Sequence, residues 1–570
     1  MSPVLLALLA CSGPSVDHPA LVGQDVRLTI LHTSDIHSRL IEYEFDPTYT
    51  DNLLGLADGA GPYGGIPEIA HILKRERARS GRVLHLDSGD CFQGAIIFNE
   101  FLGEAEMRTL TEAGLDAAVV GNHEFDAGAQ NIAAQAGAHA GFALLAGNYD
   151  FENATAEWAT TLEEIVLPSV LYSLDGLRVG VIGLANLSSL NSIYDEDNSL
   201  GVRVIHHAEV IRNEAAHLRA AGADVVIALS HMGLDDDLEQ AAEFAELDVI
   251  IGGHHHVAID PPLVVTNDHA GGKRIPVVHS GAFAKFVGRL DLVIRVGEEL
   301  RVEHDSGGFE TVHNPVVSHS YTLFPVDNAV PQDPATLEIL QEYQDHLDTT
   351  YDTSQVLGHA WQKLTRYGPS GGDSMLGNFT ADAMRSWPGV ETEFAMNNTL
   401  GVRADIGTDD VDCTGPGEPA GCEWDITLDD LYNSFPFDNT ITTMFLSGRE
   451  VQELLDYATQ RSTDRGCQSQ IQVSGMTFTM NCGLGVAQDI VINGEPMDPN
   501  GTYEMATNNY VANGGSGFSM LERNTTQSDT GIEIRDVVRA SFTNFPSLPV
   551  EGTSTVQGVA EVDGRITTVF

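Results

Sequence analysis

The chain has 570 residues, so two or three domains are expected at about 100–200 residues each. Hydrophobic residues make up 42% of it, which excludes a disordered chain. Lysine and arginine number 29 against 82 aspartate and glutamate residues, giving a formal net charge of −53. So negative a surface repels phosphate backbones, and binding of a nucleic-acid polymer is not expected.

The first residues are typical of an export signal. The apolar run in Met-Ser-Pro-Val-Leu-Leu-Ala-Leu-Leu-Ala is too short to span a bilayer, which needs about 20 residues. Ala10-Cys11 resembles a bacterial lipobox, but no Lys or Arg precedes it, so an ordinary signal peptide or an upstream start stays open. We expect an exported protein, periplasmic or on the outer cell surface, with a lipid anchor at Cys11 as one alternative. No other apolar stretch of the sequence is long enough for a transmembrane span.

From residue 25 onward, apolar runs alternate with amphipathic stretches, which is typical of an α/β domain with largely buried strands. The predicted strands are 26–32, 82–87, 117–120, 142–146, 178–183, 224–229 and 248–251. The predicted helices between them include 67–79, 206–221 and 235–245. Two later strands, 276–279 and 288–296, have no helix between them, so part of the sheet system is expected to be antiparallel.

Residues 331–350 predict a polar helix that opens with Asp333-Pro334 and carries leucines on one side. We interpret this helix as the link between two domains. The predicted organisation is therefore a signal-like segment and tether at 1–24, a first domain at 25–328, a linker at 329–353 and a second α/β domain at 354–570.

Four of the cysteines form two pairs that are close in sequence. Cys413 and Cys422 bracket a loop rich in Gly and Pro, and Cys467 and Cys482 bracket a predicted hairpin. Each pair fits a local disulfide in an oxidising compartment, with reduced thiols as the alternative. Cys91 is left over, and no cysteine has the spacing of a zinc ribbon.

Five polar segments follow predicted strands, where α/β folds place ligand sites. They are Asp35-Ile36-His37, Gly89-Asp90, Gly121-Asn122-His123-Glu124, Ser230-His231 and Gly252-Gly253-His254-His255-His256. Each segment alone is more often a helix cap or a hydrogen-bonded loop. Together they offer a bridging carboxylate with Asp, Asn and His ligands, which is what two cations about 3.5–4 Å apart require.

These segments resemble those of the calcineurin-like metallophosphoesterases. Two motifs narrow the resemblance to the exported 5′-nucleotidase, UDP-sugar hydrolase and 2′,3′-cyclic-nucleotide phosphodiesterase superfamily. They are the sequence Ile-Leu-His-Thr-Ser-Asp-Ile-His, which ends at His37, and residues 121–126. The resemblance covers about residues 26–565. It implies a two-domain α/β fold, with an N-terminal four-layer α/β/β/α sandwich and a C-terminal α/β substrate-binding domain joined by a helix.

The resemblance also implies an activity and its cofactors. The expected reaction is hydrolysis of a small phosphate ester, foremost a nucleotide, with two divalent cations such as zinc or manganese. The ligand positions carried over to this chain are Asp35, His37 and His256 for one cation, Asn122, His231 and His254 for the other, and Asp90 between them.

His123 and Asp126 resemble the catalytic dyad of the family. A protonated His beside the metals would stabilise charge on the phosphoryl and leaving oxygens, and a carboxylate would orient that His. Asp87 is the alternative to Asp90, but the family places its ligand directly after the glycine. His255 stands where the family has a small polar residue, and we interpret it as a bystander.

In the second domain the resemblance implies a substrate pocket. Arg403 would meet a phosphate or carboxylate, Asn398 would lie against the ring of the substrate, and Phe437 and Tyr510 would sandwich a base. Both rings could instead be core. Ser516 stands where the nucleotidases have an Asp that binds the ribose hydroxyls, which puts nucleoside specificity in doubt.

Two alternative functions therefore stay open. Within the same chemistry, the protein could be a cyclic-nucleotide or UDP-sugar phosphodiesterase, or a phosphatase for a non-nucleotide ester. A surface binding protein that kept the fold and lost turnover is the alternative from another class. The complete set of ligand positions disfavours it.

Overall fold

The computed structural model describes residues 21–45, 47–151, 157–186, 202–303, 309–360, 363–407, 424–544, 547–548 and 562–570. Cys11 and the predicted pair Cys413 and Cys422 lie outside these residues. The chain divides into two compact units, Met1–Gln93 with Ile97–His346 and Gly94–Ile96 with Leu347–Phe570. The finer bounds predicted for the domains and the linker stay a prediction.

The first unit is built on two mixed sheets. The first sheet has seven strands in the order Val316–Pro325, Phe286–Arg295, Asp25–Thr33, Val83–Asp87, Ala117–Val119, Ala143–Leu145 and Val166–Leu167. The second has six in the order Leu263–Asn267, Lys273–His279, Val249–Gly252, Val225–Ser230, Leu177–Leu184 and Ser169–Leu174. Strand Ala117–Val119 contacts strands of the second sheet, so the two sheets pack against each other.

Helices cover both sheets and complete the α/β/β/α sandwich. Helix Ile66–Arg79 packs on the first sheet, and helices His207–Ala220 and Leu234–Glu243 pack on the second. The other helices of this part of the chain are Tyr49–Leu53, Ile96–Phe101, Glu104–Ala113, Ala129–His139, Glu157–Ile165 and Pro334–Thr350, with the single turns His123–Phe125 and Asp268–Ala270. Short ribbons pair Glu299–Glu303 with Phe309–His313 and Tyr149–Asp150 with Arg203–Val204.

The central strands are parallel and almost wholly buried, as continuous apolar runs predict. The expected antiparallel part is confirmed. Strand Phe286–Arg295 runs antiparallel to both of its neighbours, whereas Lys273–His279 is parallel to Val249–Gly252 and antiparallel to Leu263–Asn267. The helix predicted at 331–350 is found at Pro334–Thr350, with Leu340 and Leu347 buried.

The described residues of the second unit form three sheets. Its five-stranded sheet has the order Ile471–Ser474, Phe394–Asn398, Thr502–Asn508, Thr440–Ser447 and Ser528–Glu533. A four-stranded sheet joins Glu495–Pro496, Val486–Ile492, Met476–Asn481 and Ile566–Val569, and a three-stranded one joins Trp424–Thr427, Val356–Ala360 and Ser547–Leu548. The helices are Met375–Ser386, Leu428–Ser434, Gly448–Thr463, Asn509–Ala512 and Ile534–Asn544, with the turns Thr399–Gly401 and Gly515–Gly517.

The structure contains the predicted Cys467–Cys482 disulfide, but the hairpin predicted between these residues is wrong. Strand Ile471–Ser474 pairs with Phe394–Asn398 in the five-stranded sheet, whereas Met476–Asn481 pairs with Val486–Ile492 in the four-stranded one. Gly475, with φ of 70°, turns the chain between the two sheets. The disulfide therefore closes a segment shared by two sheets.

Among the described residues, no helix is both long enough and apolar enough to cross a membrane.

Candidate metal centre and substrate pocket

The candidate metal ligands lie on loops that follow five parallel strands. Asp35, Asp90 and Asn122 come after consecutive neighbours in the first sheet, at the carboxyl ends of the strands. His231 and His254 come after two parallel neighbours in the second sheet. Since the carboxyl ends of parallel strands share one edge of a sheet, the topology brings residues distant in sequence to one place.

The side chains of this centre converge. Three groups each have ligand atoms within 4.8 Å of one another: Asp35, His37 and His256; Asp90, His231 and His254; and His37, Asp90 and His123. The Nε2 atoms of His37 and His256 are 3.0 Å apart, and Nε2 of His231 lies 3.0 Å from Oδ2 of Asp90. Asp90 belongs to two of the groups, which suits a carboxylate between two cations.

Asn122 directly precedes His123, a member of one of these groups, and its side chain tests whether cations fit the cluster. Its Oδ1 atom is buried and has no hydrogen-bond partner among the described residues. A buried acceptor without a partner is costly, and a cation would satisfy it. Oxygen and imidazole donors of this kind suit divalent ions such as zinc or manganese.

Main-chain contacts fix two of the imidazoles. Nδ1 of His37 lies 2.9 Å from the carbonyl oxygen of Gln93, and Nδ1 of His231 lies 2.5 Å from that of Ser88. A carbonyl only accepts, so Nδ1 carries the proton in both rings and Nε2 is left as the ligand atom. Metal-binding histidines are oriented in this way by their other ring nitrogen.

The backbone is strained where the ligands lie. Positive φ angles between 49° and 73° occur at Asp35, His37, Asp90, His254 and His256. Non-glycine residues rarely adopt this conformation, and it costs on the order of 1–3 kcal/mol per residue. Such strain clusters at functional sites, which supports a shared role for these residues.

The charges of the cluster are interdependent. Burial favours the neutral form of His231, yet the adjacent Asp90 carboxylate raises the pKa of His231 to about 10. Burial also disfavours ionised Asp90, but His231, His123 and His37 together outweigh burial and hold the pKa of Asp90 well below its ordinary value. Burial raises the pKa of Asp35 to about 7. Positive charge near the buried carboxylates therefore favours their ionised forms, and His231 supplies part of it.

Sequence analysis missed the role of Glu124. This buried carboxylate accepts hydrogen bonds from the main-chain N–H groups of Gly121 (2.6 Å), Asp90 (3.1 Å), Cys91 (2.8 Å) and Phe92 (3.4 Å). It therefore ties the Asp90 loop to the Asn122 loop. Its place within a ligand segment was a signal, but its bonding to main-chain groups could not be read from the sequence.

Phe283 was missed as well, and no sequence signal marks it. Its ring centroid lies 5.3 Å from that of His37 and 4.9 Å from that of His256, and its N–H donates to the carbonyl of Asp35 at 2.7 Å. Phe283 thus packs against three candidate ligands of one cation.

His123 and Asp126 are in contact. Nδ1 of His123 lies 2.6 Å from Oδ2 of Asp126, across one turn at His123–Phe125. The main-chain N–H of His123 donates to Oδ1 of Asp90 at 2.8 Å. The imidazole is therefore held beside the cluster, near enough to His37 and Asp90 to be a ligand itself.

The residues expected to bind substrate lie along one edge of the five-stranded sheet. Asn398 ends a strand that runs parallel to Thr502–Asn508, and both side chains are joined because Asn508 Nδ2 donates to Oδ1 of Asn398 at 2.7 Å. Tyr510 follows this edge directly, and its hydroxyl accepts from the N–H of Ser516 at 3.0 Å. Ser516 has φ of 54°.

Phe437 precedes the antiparallel strand Thr440–Ser447 at the same edge. The guanidinium carbon of Arg403 lies 5.3 Å from the centroid of its ring, within the range of a cation–π contact. Arg366 donates to the carbonyl of Arg403 at 2.6 Å, and buried Arg535 donates to the carbonyl of Pro436 at 2.9 Å. Phe437 and Tyr510 are both half-buried, and Tyr510 packs against the hydrophobic core of the second unit.

Two family models match the chain. Residues 28–258 match the calcineurin-like phosphoesterase model, and residues 351–523 match the 5′-nucleotidase C-terminal domain model. A 5′-nucleotidase of Diplobatis ommata is 27% identical over 89% of this chain and 85% of its own length. An apyrase of Tabanus yao is 25% identical over 90% of each chain. The solved structure of a 5′-nucleotidase precursor from Thermus thermophilus superposes with a TM-score of 0.77 at 25% identity, covering 95% of this chain and 99% of its own.

Proposed function

We propose that this protein is an exported enzyme that removes phosphate from nucleotides with the help of two divalent cations. The chain belongs to the calcineurin-like phosphoesterases with a 5′-nucleotidase C-terminal domain and is a hydrolase of phosphate esters. The observation that carries the proposal is the convergence of Asp35, His37, Asp90, His231, His254 and His256 beside the unpartnered Oδ1 of Asn122. Export is supported by the apolar opening run and by the Cys467–Cys482 disulfide, since disulfides persist in oxidising compartments.

Each candidate ligand has a defined part in this proposal. Asp35, His37 and His256 would hold one cation, Asn122, His231 and His254 would hold the other, and Asp90 would serve both. When bound, such cations neutralise charge on phosphoryl oxygens and lower the pKa of water, so that hydroxide is available near neutral pH.

His123 and Asp126 act on the leaving side of the reaction. Asp126 accepts the Nδ1–H of His123, which fixes the ring and stabilises its charged form. The Nε2–H of His123 is then the donor that meets an oxygen of the phosphoryl group or of the leaving alcohol as negative charge builds there.

The names of relatives and the residues of the second unit support the choice of substrate class. The names of the relatives, a 5′-nucleotidase and an apyrase, point to nucleotides. Phe437 and Tyr510 supply aromatic faces at the same sheet edge as Asn398, and base stacking on such faces is worth about 1–3 kcal/mol per base. Arg403 supplies a guanidinium for a phosphate or carboxylate.

A hydrolysis panel in which all products are followed tests the substrate, because opening a cyclic phosphate or cleaving a UDP-sugar releases no inorganic phosphate. We expect nucleoside monophosphates to be hydrolysed faster than cyclic nucleotides, sugar nucleotides and sugar phosphates. Preference for a cyclic nucleotide or a UDP-sugar would change the proposed activity from nucleotidase to phosphodiesterase. The proposed metal centre would be unaffected by that result.

Tyr510→Ala separates the recognition of the base from the chemistry. Loss of one stacking face should raise KM for AMP about 10- to 100-fold, which corresponds to about 1–3 kcal/mol per base. Hydrolysis of an aryl phosphate without a base should change little, and Tyr510→Phe, which keeps the ring, is the matched control. Equal losses on both substrates would mean that Tyr510 is a packing residue.

A further inference from the structure

His255 lies beside the candidate ligand His254 and has no part in the proposed reaction. Its side chain is exposed, and its Nδ1 accepts a hydrogen bond from the main-chain N–H of Leu234 at 3.1 Å. Leu234 is the first residue of a helix that begins three residues after His231. The hydrogen bond therefore joins the loop that carries His254 to the loop that carries His231.

The helix needs this contact because its own N-cap residue cannot supply one. That residue is Gly233, which has no side chain to accept from the first-turn N–H groups. A side-chain acceptor at that position is the usual way to satisfy them. The imidazole of His255 lies against Gly233 so closely that a Cβ there would be 2.6 Å from Nε2 of His255. The neighbouring loop thus provides the acceptor.

The two ligand loops have other anchors. One lies on the second sheet, where Nδ2 of Asn186 donates to the carbonyl of His231 at 3.0 Å, and others run to the first sheet. The N–H of His254 donates to the carboxylate of Asp35 at 3.1 Å, and Nδ1 of His231 donates to the carbonyl of Ser88. The His255 contact runs between the loops themselves, within the second sheet. It adds a side-chain link between these loops to the main-chain pairing of the two strands that precede them.

We propose that His255 is a positioning residue for the metal centre. By fixing the His231 loop against the His254 loop, it raises the affinity for the cation that these two histidines share with Asn122. The inference rests on the ligand assignment made under the proposed function. Residues that orient metal ligands from outside the coordination sphere are worth about 10- to 100-fold in metal affinity or activity.

Three variants isolate the hydrogen bond. His255→Leu keeps bulk but has no acceptor, whereas His255→Asn keeps one, because Oδ1 of Asn occupies the place of Nδ1 of His. His206→Leu is the matched control, since Nδ1 of His206 likewise accepts from a helix N–H, that of Ala208 at 3.2 Å. The helix that His206 caps carries no candidate ligand.

Calorimetric titration of metal-stripped protein with Mn²⁺, together with thermal unfolding of the same metal-free samples, tests the inference. We expect His255→Leu to weaken one of two Mn²⁺ sites about 10-fold or more. His255→Asn and His206→Leu should stay within a factor of three of the wild type, and metal-free His255→Leu should unfold at the same temperature as metal-free His206→Leu.

Three results would overturn it. Wild-type affinity in His255→Leu, an equal loss in His206→Leu, or no recovery in His255→Asn would each leave His255 as a surface residue while the proposed function stands. Failure of the wild type itself to bind Mn²⁺ would remove the proposed function and the inference together.

Discussion

Two sets of contacts made by His123 suit two different catalytic roles. Its contact with Asp126 suits a proton donor, and its nearness to His37 and Asp90 suits a metal ligand. We expect the first role. His123→Ala should then lower kcat about 10²- to 10⁴-fold, the usual range for a positioned acid or base, with bound metal unchanged.

Steady-state kinetics and elemental analysis of the same protein preparation check this expectation. Asp126→Asn is the matched variant, since it keeps the shape of the partner but removes its charge, and it should lower kcat by a smaller factor without loss of metal. Loss of one cation from His123→Ala would instead make His123 a ligand.

Single residues also differ in how far the sequence predicted them. Asp35, His37, Asp90 and Asn122 stand in motifs that fix residue type and spacing, so they could be named without a structure. Phe283 and the contact of His255 could not. Phe283 contacts the cluster with its ring, and His255 contacts a main-chain N–H, and neither kind of contact requires a particular motif.

At the scale of elements, strands were predictable because continuous apolar runs mark buried parallel strands. Their pairing was less so. The segment between Cys467 and Cys482 contains two apolar-polar alternating runs that meet at Ser474-Gly475, a turn dipeptide that predicts a hairpin. The strands belong to different sheets instead, because strands distant in sequence compete with local pairing. Those distant partners cannot be identified from the sequence.

The disulfide in this segment should stabilise the second unit. Its closure spans 15 residues, and a loop of about 15 residues is worth about 3 kcal/mol, chiefly by restricting the unfolded chain. The double substitution Cys467→Ser with Cys482→Ser should therefore lower the urea midpoint of the second unit. Reducing agent should lower the wild-type midpoint by more than it lowers that of the double variant, because the predicted pair Cys413 and Cys422 is present in both. Equal midpoints for oxidised and reduced wild type would contradict this.

At the scale of the whole molecule, the net charge of −53 opposes the compact state by self-repulsion. Salt screens such repulsion, because the Debye length falls from about 8 Å at 0.15 M to about 3 Å at 1 M. The unfolding temperature should therefore rise between 0.05 M and about 1 M salt, with NaCl and KCl giving the same rise. An unfolding temperature that stays constant or falls as either salt is added would show that the repulsion between acidic residues is already balanced within the fold.

The central claim is that the protein binds two cations per chain and needs both for catalysis. One titration tests this claim most directly. Protein stripped by exhaustive chelation is titrated with Mn²⁺ while bound metal and phosphate release from AMP are followed together. We predict no release from the stripped protein, two Mn²⁺ bound per chain, and full activity only as the second site fills. Asp90→Ala should remain folded yet fail to regain activity at any Mn²⁺ concentration. Release of phosphate by the stripped wild type, or wild-type turnover by Asp90→Ala, would contradict the claim.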